Sequence, residues 1–187
     1  MEIWDAYYPD GTLAGCNLVR GKPIPDGLYH LVSEILVRHI DGDYLLMQRD
    51  PRKPNYGGFF EATAGGSALK GEDAYCCAIR ELREETGIDA GTLTNIGRFI
   101  SHDTIYENFL CVTDCKKNTV TLQEGETVSY KWVNEADFIA FVNFQFHERC
   151  AVPALRALSE ADRIYQIAKQ IFCGTVKRQK PVPLGDN

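Results

Sequence analysis

Three glutamates on one face of a predicted helix constrain this chain more than any other feature. Residues 73–86 lie between two glycines and are predicted to form a helix. At about 100° per residue, Glu81, Glu84 and Glu85 stand at i, i+3 and i+4, so their carboxylates share one face. Like charges at this spacing repel one another, and the cluster therefore needs a positive partner.

The remaining surface of the helix is predicted to pack on a sheet. Four side chains on a second arc, about 130° from the carboxylates, suit such packing: Tyr75, Ile79, Leu82 and Thr86. Three small side chains on or beside the carboxylate face would leave room for an approaching ligand: Ala74, Cys77 and Ala78.

A divalent cation accounts for the carboxylate cluster better than the neighbouring arginines do. Arg80 can pair with Glu84 at i+4, and Arg83 can help at the edge, but neither neutralises all three glutamates. Mg²⁺ takes oxygen ligands and commonly binds through one or two carboxylates together with waters and substrate phosphates. The alternative is a solvated acidic surface, which is the usual interpretation of an isolated E-x-x-E-E pattern.

The full spacing around this helix resembles the signature of the Nudix hydrolase (MutT-like) family. That signature is G-x5-E-x7-R-E-U-x-E-E-x-G-U, where U is a bulky aliphatic residue. Every fixed position is matched here without a gap, by Gly66, Glu72, Arg80, Glu81, Leu82, Glu84, Glu85, Gly87 and Ile88. The match makes a metal site a stronger interpretation than a solvated face.

The resemblance implies an α/β fold, a Nudix α/β/α sandwich built on a mixed sheet. Residues 1–28 are predicted to form an N-terminal β-hairpin extension and a linker, residues 29–173 the Nudix domain, and residues 174–187 a flexible tail. Strands are predicted at 2–8, 11–15, 29–40, 44–49, 59–64, 94–101, 105–113, 118–122 and 127–133. Besides the helix at 73–86, helices are predicted from an N-cap at Asn134 through Phe141 and over 153–172.

Family roles transfer to this chain through the motif positions. The resemblance implies that Glu84 and Glu85 are the principal ligands of Mg²⁺, with Mn²⁺ as a substitute. Glu81 is then a further ligand or the general base that takes a proton from the attacking water. All three glutamates are thus catalytic residues in this interpretation.

The residues around the three glutamates have supporting roles in the same interpretation. Glu72, Arg80 and Gly66 hold the loop and the carboxylates in place. The Gly65 carbonyl adds a metal ligand. One more glutamate from outside the signature is expected, with Glu126 as the first choice and Glu124 as the next.

Two residues outside the signature are predicted to contact the substrate. Arg49 ends a strand and could bind a phosphate as a planar fork, or form a surface salt bridge. Phe60, with Phe59 and Tyr56, could form one wall of a base-stacking pocket, although such clusters are more often packing. His30 is interpreted as a core or edge histidine.

Charge and composition limit the partners and the compartment. The net charge is −6, so unaided nucleic-acid binding is not expected, whereas a small phosphorylated substrate remains compatible if a cation reverses the local field. No targeting segment or membrane-spanning apolar run is visible. Seven scattered cysteines are typical of free thiols in a reducing compartment, which predicts a cytoplasmic protein.

Three functions follow from the resemblance. The leading one is Mg²⁺-dependent hydrolysis of a phosphoric anhydride bond in a nucleoside diphosphate linked to another moiety, or in a related organic diphosphate. The others are isopentenyl diphosphate isomerisation and nucleotide binding without catalysis.

The N-terminal segment is similar to the isomerase branch at Trp4-Asp5, Arg20-Gly21, Ile24-Pro25 and Tyr29-His30. The isomerases resemble one another in carrying a catalytic Cys and a metal-binding His before the helix, and residues 63–67 contain neither. Trp4, Tyr7 and Tyr8 leave open a homodimer in which the N-terminal segment packs on a second subunit.

Overall fold

The protein is described by a computed structural model covering residues 1–54 and 56–150, with residues 143–150 described by their backbone alone. The elements in chain order are β1 (Ile3–Tyr7), β2 (Leu13–Val19), β3 (His30–His39), β4 (Tyr44–Arg49), β5 (Phe60–Glu61), β6 (Thr63–Ser67), α1 (Ala74–Thr86), β7 (Thr92–Ser101), β8 (Thr104–Thr113), β9 (Thr127–Val133) and α2 (Glu135–Cys150). In the described part of the chain, no helix is both long and apolar enough to span a membrane.

A mixed sheet forms the centre of the molecule. β3 pairs in parallel with β8, while β6 and β4 pair with β3 in the antiparallel sense, β5 and β9 pair with β4, and β7 pairs with β8. A parallel pair needs a long crossover, and here the crossover from β3 to β8 contains α1. The predicted α/β class and mixed sheet are confirmed.

The two helices cover opposite faces of this sheet. Ile35 of β3 packs in one apolar cluster with Ala78 and Leu82 of α1. The next residue, Leu36, packs in a second cluster with Phe138 of α2. Because successive strand residues point to opposite faces, α1 and α2 lie on opposite sides of β3.

The N-terminal residues form the predicted hairpin, a separate two-stranded sheet of β1 and β2. Two backbone hydrogen bonds of 2.9 Å join Tyr7 to Tyr29 and hold the hairpin beside the start of β3. The Trp4 ring stacks on the His30 ring at a centroid distance of 4.6 Å. Burial lowers the pKa of His30, which is consistent with the predicted packing role.

Two sequence-based predictions of secondary structure need correction. The strand predicted at 118–122 is wrong, because Lys117–Thr119 is a 3-10 turn and the following residues serve the helix end instead. The Thr121 N–H donates to the carbonyl of Thr86, the last residue of α1, at 2.9 Å. The single strand predicted at 59–64 is divided into β5 and β6, which pair with different neighbours.

The helix predicted after Asn134 is present and longer than expected. Asn134 Oδ1 accepts a hydrogen bond of 2.9 Å from the Asp137 N–H, which is the predicted N-cap contact. The helix continues to Cys150 rather than ending near Phe141. The helix predicted at 153–172 and the tail predicted at 174–187 lie outside the described residues, and the predicted domain boundaries stay predictions.

Candidate active site

Local capping fixes both ends of α1 where the sequence predicted them. Asp73 Oδ1 accepts from the Cys76 N–H at 2.7 Å and begins the helix. Gly87 ends it with a φ of 68°, a left-handed conformation that favours glycine, and its N–H donates to the Arg83 carbonyl at 2.9 Å. The three glutamates of the signature therefore lie on a helix whose two ends are both fixed by capping contacts.

The buried face of α1 overlaps the predicted one in part, because Leu82 and Thr86 are fully buried as predicted. Tyr75 is 47% exposed and Ile79 is 36% exposed, whereas Cys77 and Ala78 are fully buried. The prediction that the small residues leave room for a ligand is therefore wrong, because they let the helix lie close to the sheet. Ser33 Oγ donates to the Ala74 carbonyl at 2.7 Å across this contact.

This rotation of the helix turns the carboxylate face partly inward, and Glu85 is affected most. Glu85 Oε2 accepts a hydrogen bond of 3.0 Å from the Gly65 N–H. The surrounding protein raises the pKa of Glu85 to about 8, chiefly through desolvation, and the negative charges of Glu81 and Glu126 add to the effect. Part of the side-chain surface remains accessible to solvent. A cation could therefore reach this carboxylate.

The other two signature glutamates share one arginine. Arg80 Nη1 lies 2.7 Å from Glu81 Oε1 and 3.2 Å from Glu84 Oε2. The Glu81 side chain is 13% exposed, and desolvation raises its pKa. The Glu84 side chain is about half exposed. The structure thus brings all three carboxylates to one surface, at three different depths.

Arg80 also ties the helix to the preceding loop. Its Nε and Nη2 donate to the two oxygens of Glu72 at 2.7 and 2.9 Å, and Nη2 donates to the Ser67 carbonyl at 3.1 Å. Glu72 Oε2 accepts from the Leu69 N–H at 2.9 Å. The hydrogen bonds from Arg80 are the largest cause of a lowered pKa at Glu72. These are the contacts that the predicted supporting role of Glu72 and Arg80 requires.

The adjacent glycines Gly65 and Gly66, where the signature begins, occupy positions that have no room for a side chain. A Cβ at Gly65 would lie 2.1 Å from the Ser33 carbonyl oxygen of the neighbouring strand. A Cβ at Gly66 would lie 2.5 Å from Glu81 Oε1. Glycine at position 66 therefore allows the Glu81 carboxylate to take its place beside the loop.

Glu126, predicted as the extra ligand, is placed near the signature. Its carboxylate forms an ion pair with Lys53, and its carbonyl accepts from the Asp50 N–H at 2.8 Å. Its charge contributes to the raised pKa of Glu85. Glu124 is exposed. These contacts support Glu126 over Glu124.

The two predicted substrate residues are both engaged with other side chains. Arg49 Nη1 lies 2.5 Å from Glu61 Oε1, in a salt bridge with about a quarter of the arginine side chain exposed. Phe60 packs against the apolar cluster below α2, and Lys131 Nζ lies 4.3 Å from its ring centroid. For Phe60, these contacts support packing in the core more strongly than a role as the wall of a base-stacking pocket.

Sequence reasoning missed several charged groups around the site. Glu34 is buried in β3 opposite Gly65, and Glu61 lies in a two-residue strand. Lys53 and Arg20 come from a loop and from the end of the hairpin. None of these residues belongs to a fixed motif. For Glu34 and Glu61 the only sequence signal is their position in a strand, and Lys53 and Arg20 are identified by the three-dimensional structure alone.

Comparison with known proteins agrees with the signature. A family model described as the NUDIX domain matches residues 29–155. The chain belongs to the Nudix family. As a Nudix hydrolase it acts on phosphorus-containing acid anhydrides. It is 29% identical over 142 residues to the Nudix hydrolase lmo0368 of Listeria monocytogenes. This alignment covers 75% of this chain and 84% of the relative.

Solved structures show the same fold. DR0079 from Deinococcus radiodurans aligns with a TM-score of 0.66 at 15% identity, covering 90% of this Nudix chain and 98% of that one. The NUDIX domain of Shewanella oneidensis NrtR, solved as a complex with ADP ribose, aligns with a TM-score of 0.55 at 14% identity and covers 76% and 86% of the two chains. The Nudix fold of this protein is therefore supported independently of the signature.

Proposed function

We propose that this Nudix hydrolase uses Mg²⁺ to hydrolyse a phosphoric anhydride bond in a nucleoside diphosphate linked to another moiety, or in a related organic diphosphate. The observation that carries the proposal is the environment of Glu85. This carboxylate is held by a backbone N–H in desolvating surroundings, beside the further negative charges of Glu81 and Glu126.

A divalent cation fits this environment. A desolvated carboxylate is costly unless a positive group or several hydrogen bonds compensate it. Arg80 is committed to Glu72, Glu81 and Glu84, and Glu85 accepts its hydrogen bond from Gly65. The positive charge of Arg49 opposes the rise in the pKa of Glu85 but does not cancel it. All donors here are oxygens, which suits Mg²⁺ and its substitute Mn²⁺.

The ion would not be enclosed by protein alone. Within the described residues, no three acidic, histidine or cysteine side chains converge as a ready-made metal cage. Mg²⁺ usually keeps several waters and binds through one or two carboxylates plus substrate phosphates. An open arrangement of Glu84, Glu85 and the Gly65 carbonyl, with Glu126 nearby, matches that requirement.

Each residue then has a defined task. The bound cation supplies charge neutralisation for the phosphates and lowers the pKa of a water. Glu84 and Glu85 hold the cation, and Glu81 serves as a further ligand or as the base that accepts the water proton. Its raised pKa brings Glu81 closer to the operating pH, which favours proton transfer. Arg49 binds a substrate phosphate. Phe60, which packs below α2, is assigned no contact with the substrate.

The substrate class follows from the chemistry of the donors and from one structural neighbour. Carboxylates that hold a cation, next to arginines, suit a substrate with two linked phosphates. The NrtR domain carries ADP ribose, a nucleoside diphosphate linked to a sugar. This supports ADP ribose and similar compounds as the first substrates to test.

The isomerase alternative gains no support from the site. Residues 63–67 form β6 and carry neither a thiol nor an imidazole that could act as an acid–base pair on an alkene. A binding domain without catalysis usually lacks some of the acidic positions, and this chain has all of them.

The proposal is tested by phosphate release, coupled to a phosphatase, from a panel of diphosphates with Mg²⁺. The panel contains nucleoside triphosphates, nucleotide sugars, ADP ribose, dinucleotides, coenzyme A and isopentenyl diphosphate. We expect turnover of one class by the wild type and at least a hundredfold less by Glu85→Gln. Full activity of Glu85→Gln would contradict the proposed mechanism, and Mg²⁺-dependent binding without turnover would favour the non-catalytic alternative.

A further inference from the structure

The N-terminal hairpin contacts the loop that precedes the catalytic helix. The Lys70 N–H donates to the Ile3 carbonyl at 2.9 Å, and the Gly71 N–H donates to Asp5 Oδ2 at 2.6 Å. Leu69 packs against the apolar cluster of the hairpin. The loop between β6 and α1 is therefore bounded on one side by residues from outside the family motif.

Arg20 follows β2 directly and is held in a defined position. Its N–H donates to the Glu2 carbonyl at 3.1 Å, and its Nη1 donates to Glu2 Oε2 at 2.7 Å. The other oxygen of Glu2 accepts from Trp4 Nε1 at 2.7 Å, and the Trp4 ring is stacked on His30. The guanidinium is thus positioned by a chain of contacts that ends in the main sheet.

The backbone hydrogen bonds from Arg20 to Glu2 and from Lys70 to Ile3 place Arg20 on the side of the hairpin that meets the loop before α1. The pKa of Arg20 is raised mainly by its bond to Glu2, and the charges of Glu126 and Glu81 add to the increase. In the opposite direction, Arg80 contributes to the lowered pKa of Glu2. The Glu2–Arg20 pair therefore lies within electrostatic range of both the signature and the predicted extra ligand.

Arg20 is more accessible than the three cations that pair with carboxylates in the site. Three cations are only about a quarter exposed and each is paired with at least one site carboxylate: Arg80, Arg49 and Lys53. The Arg20 side chain is 67% exposed, and its hydrogen bond to Glu2 uses Nη1. A guanidinium has five N–H donors arranged as a planar fork, so donors remain available for a phosphate.

We propose that Arg20 binds a phosphate of the substrate's diphosphate group, which makes the N-terminal hairpin part of the substrate site. This inference rests on the proposed hydrolase function, because it assumes that the diphosphate lies between the carboxylate-bound cation and the hairpin. Arginine pairs with phosphate through two parallel hydrogen bonds that are stronger than neutral ones. The hairpin thereby selects substrates whose second phosphate extends toward it.

The first test is the binding of methylenediphosphonate, a diphosphate analogue that cannot be hydrolysed, measured by calorimetry in excess Mg²⁺. We expect Arg20→Gln to bind it about tenfold more weakly than the wild type, since one charged pair of hydrogen bonds is lost. Arg83→Gln is the matched control, because Arg83 is 74% exposed and pairs with Asp89. It should bind like the wild type.

A second control separates phosphate binding from a structural role of the ion pair. If Arg20 acted only by holding Glu2, then Glu2→Gln and Arg20→Gln would weaken binding equally. If Arg20 binds phosphate, Glu2→Gln retains wild-type affinity or improves it. Melting temperatures of all variants in EDTA show whether the hairpin remains folded.

Kinetics with the substrate identified from the panel give an independent result. We expect Arg20→Gln to raise KM about tenfold with kcat changed less than about threefold, and Arg20→Lys to recover part of the loss. Equal affinities and equal KM values in the wild type and Arg20→Gln would overturn the inference while leaving hydrolysis intact. Arg20-dependent binding of the analogue without turnover of any diphosphate would instead refute the proposed hydrolysis alone. Failure of the wild type to bind the analogue would overturn the inference.

Discussion

Replacing Glu85 with glutamine should change how the stability of the metal-free protein depends on pH. The folded protein raises the pKa of Glu85 from 4.5 to about 8. Between these two values the folded state keeps a proton that the unfolded state has released. The free energy of unfolding therefore falls as pH rises through this window, and the contribution of protonated Glu85 is fully present only below about pH 4.5.

The expected size follows from the linkage relation. One proton corresponds to about 1.4 kcal/mol per pH unit, so the wild type should lose roughly 2.5 kcal/mol from this group between about pH 5.5 and 7.5. Glutamine imitates the protonated carboxyl and does not titrate. The difference in unfolding free energy between wild type and Glu85→Gln should change by about that amount, because groups that do not interact with Glu85 contribute equally to both proteins.

Urea denaturation in EDTA at several pH values measures this difference directly. Glu84→Gln is the control for the loss of one charge from the same helix face, since its side chain is about half exposed. Saturating Mg²⁺ should remove the loss of wild-type stability with rising pH, because a bound cation favours the deprotonated carboxylate. A constant difference between wild type and Glu85→Gln across the window in EDTA would refute the reasoning.

Three further predictions concern the helix, the loop and the extra ligand. Asp73→Ala removes the N-cap of α1 and should lower the unfolding free energy by about 1 kcal/mol, measured by urea denaturation, while the Mg²⁺ affinity changes little. Gly66→Ala places a methyl group against the Glu81 carboxylate and should lower kcat at least tenfold, with a change in melting temperature of less than about 3 °C because the flexible glutamate can move. Unchanged kcat would show that this position of Glu81 is not required. Glu126→Gln should weaken Mn²⁺ binding about tenfold in an electron paramagnetic resonance titration, and Glu124→Gln should not; equal affinities would remove Glu126 from the ligand set.

The sequence predicted the signature helix α1 because its determinants are local. A capping aspartate, a terminal glycine and the spacing of Glu81, Glu84 and Glu85 all lie within one short segment. The orientation of that helix was not predictable, because it depends on how closely Cys77 and Ala78 allow the helix to approach the sheet. The predicted packing arc was right for Leu82 and Thr86 and wrong for Tyr75 and Ile79.

The groups outside the signature depend on long-range placement. The pairing of Arg49 with Glu61 requires the geometry of two short strands, and no motif specifies it. Arg20 lies beside the loop before α1 because the hairpin contacts that loop through the hydrogen bond from Lys70 to Ile3. The strand predicted at 118–122 failed for the same reason, since hydrogen bonding to the end of α1 outweighs the local preference for an extended strand.

The parallel pairing of β3 with β8 has a consequence for the order of folding. His30 stands opposite Thr104, and these residues are 74 positions apart in the chain. Closing so large a loop costs entropy that later contacts must offset, so such pairings form slowly. The helix α1 lies within this loop and packs on β3. We therefore expect the pairing of β3 with β8 to form late in folding, around the segment that carries α1 and the carboxylates of the site.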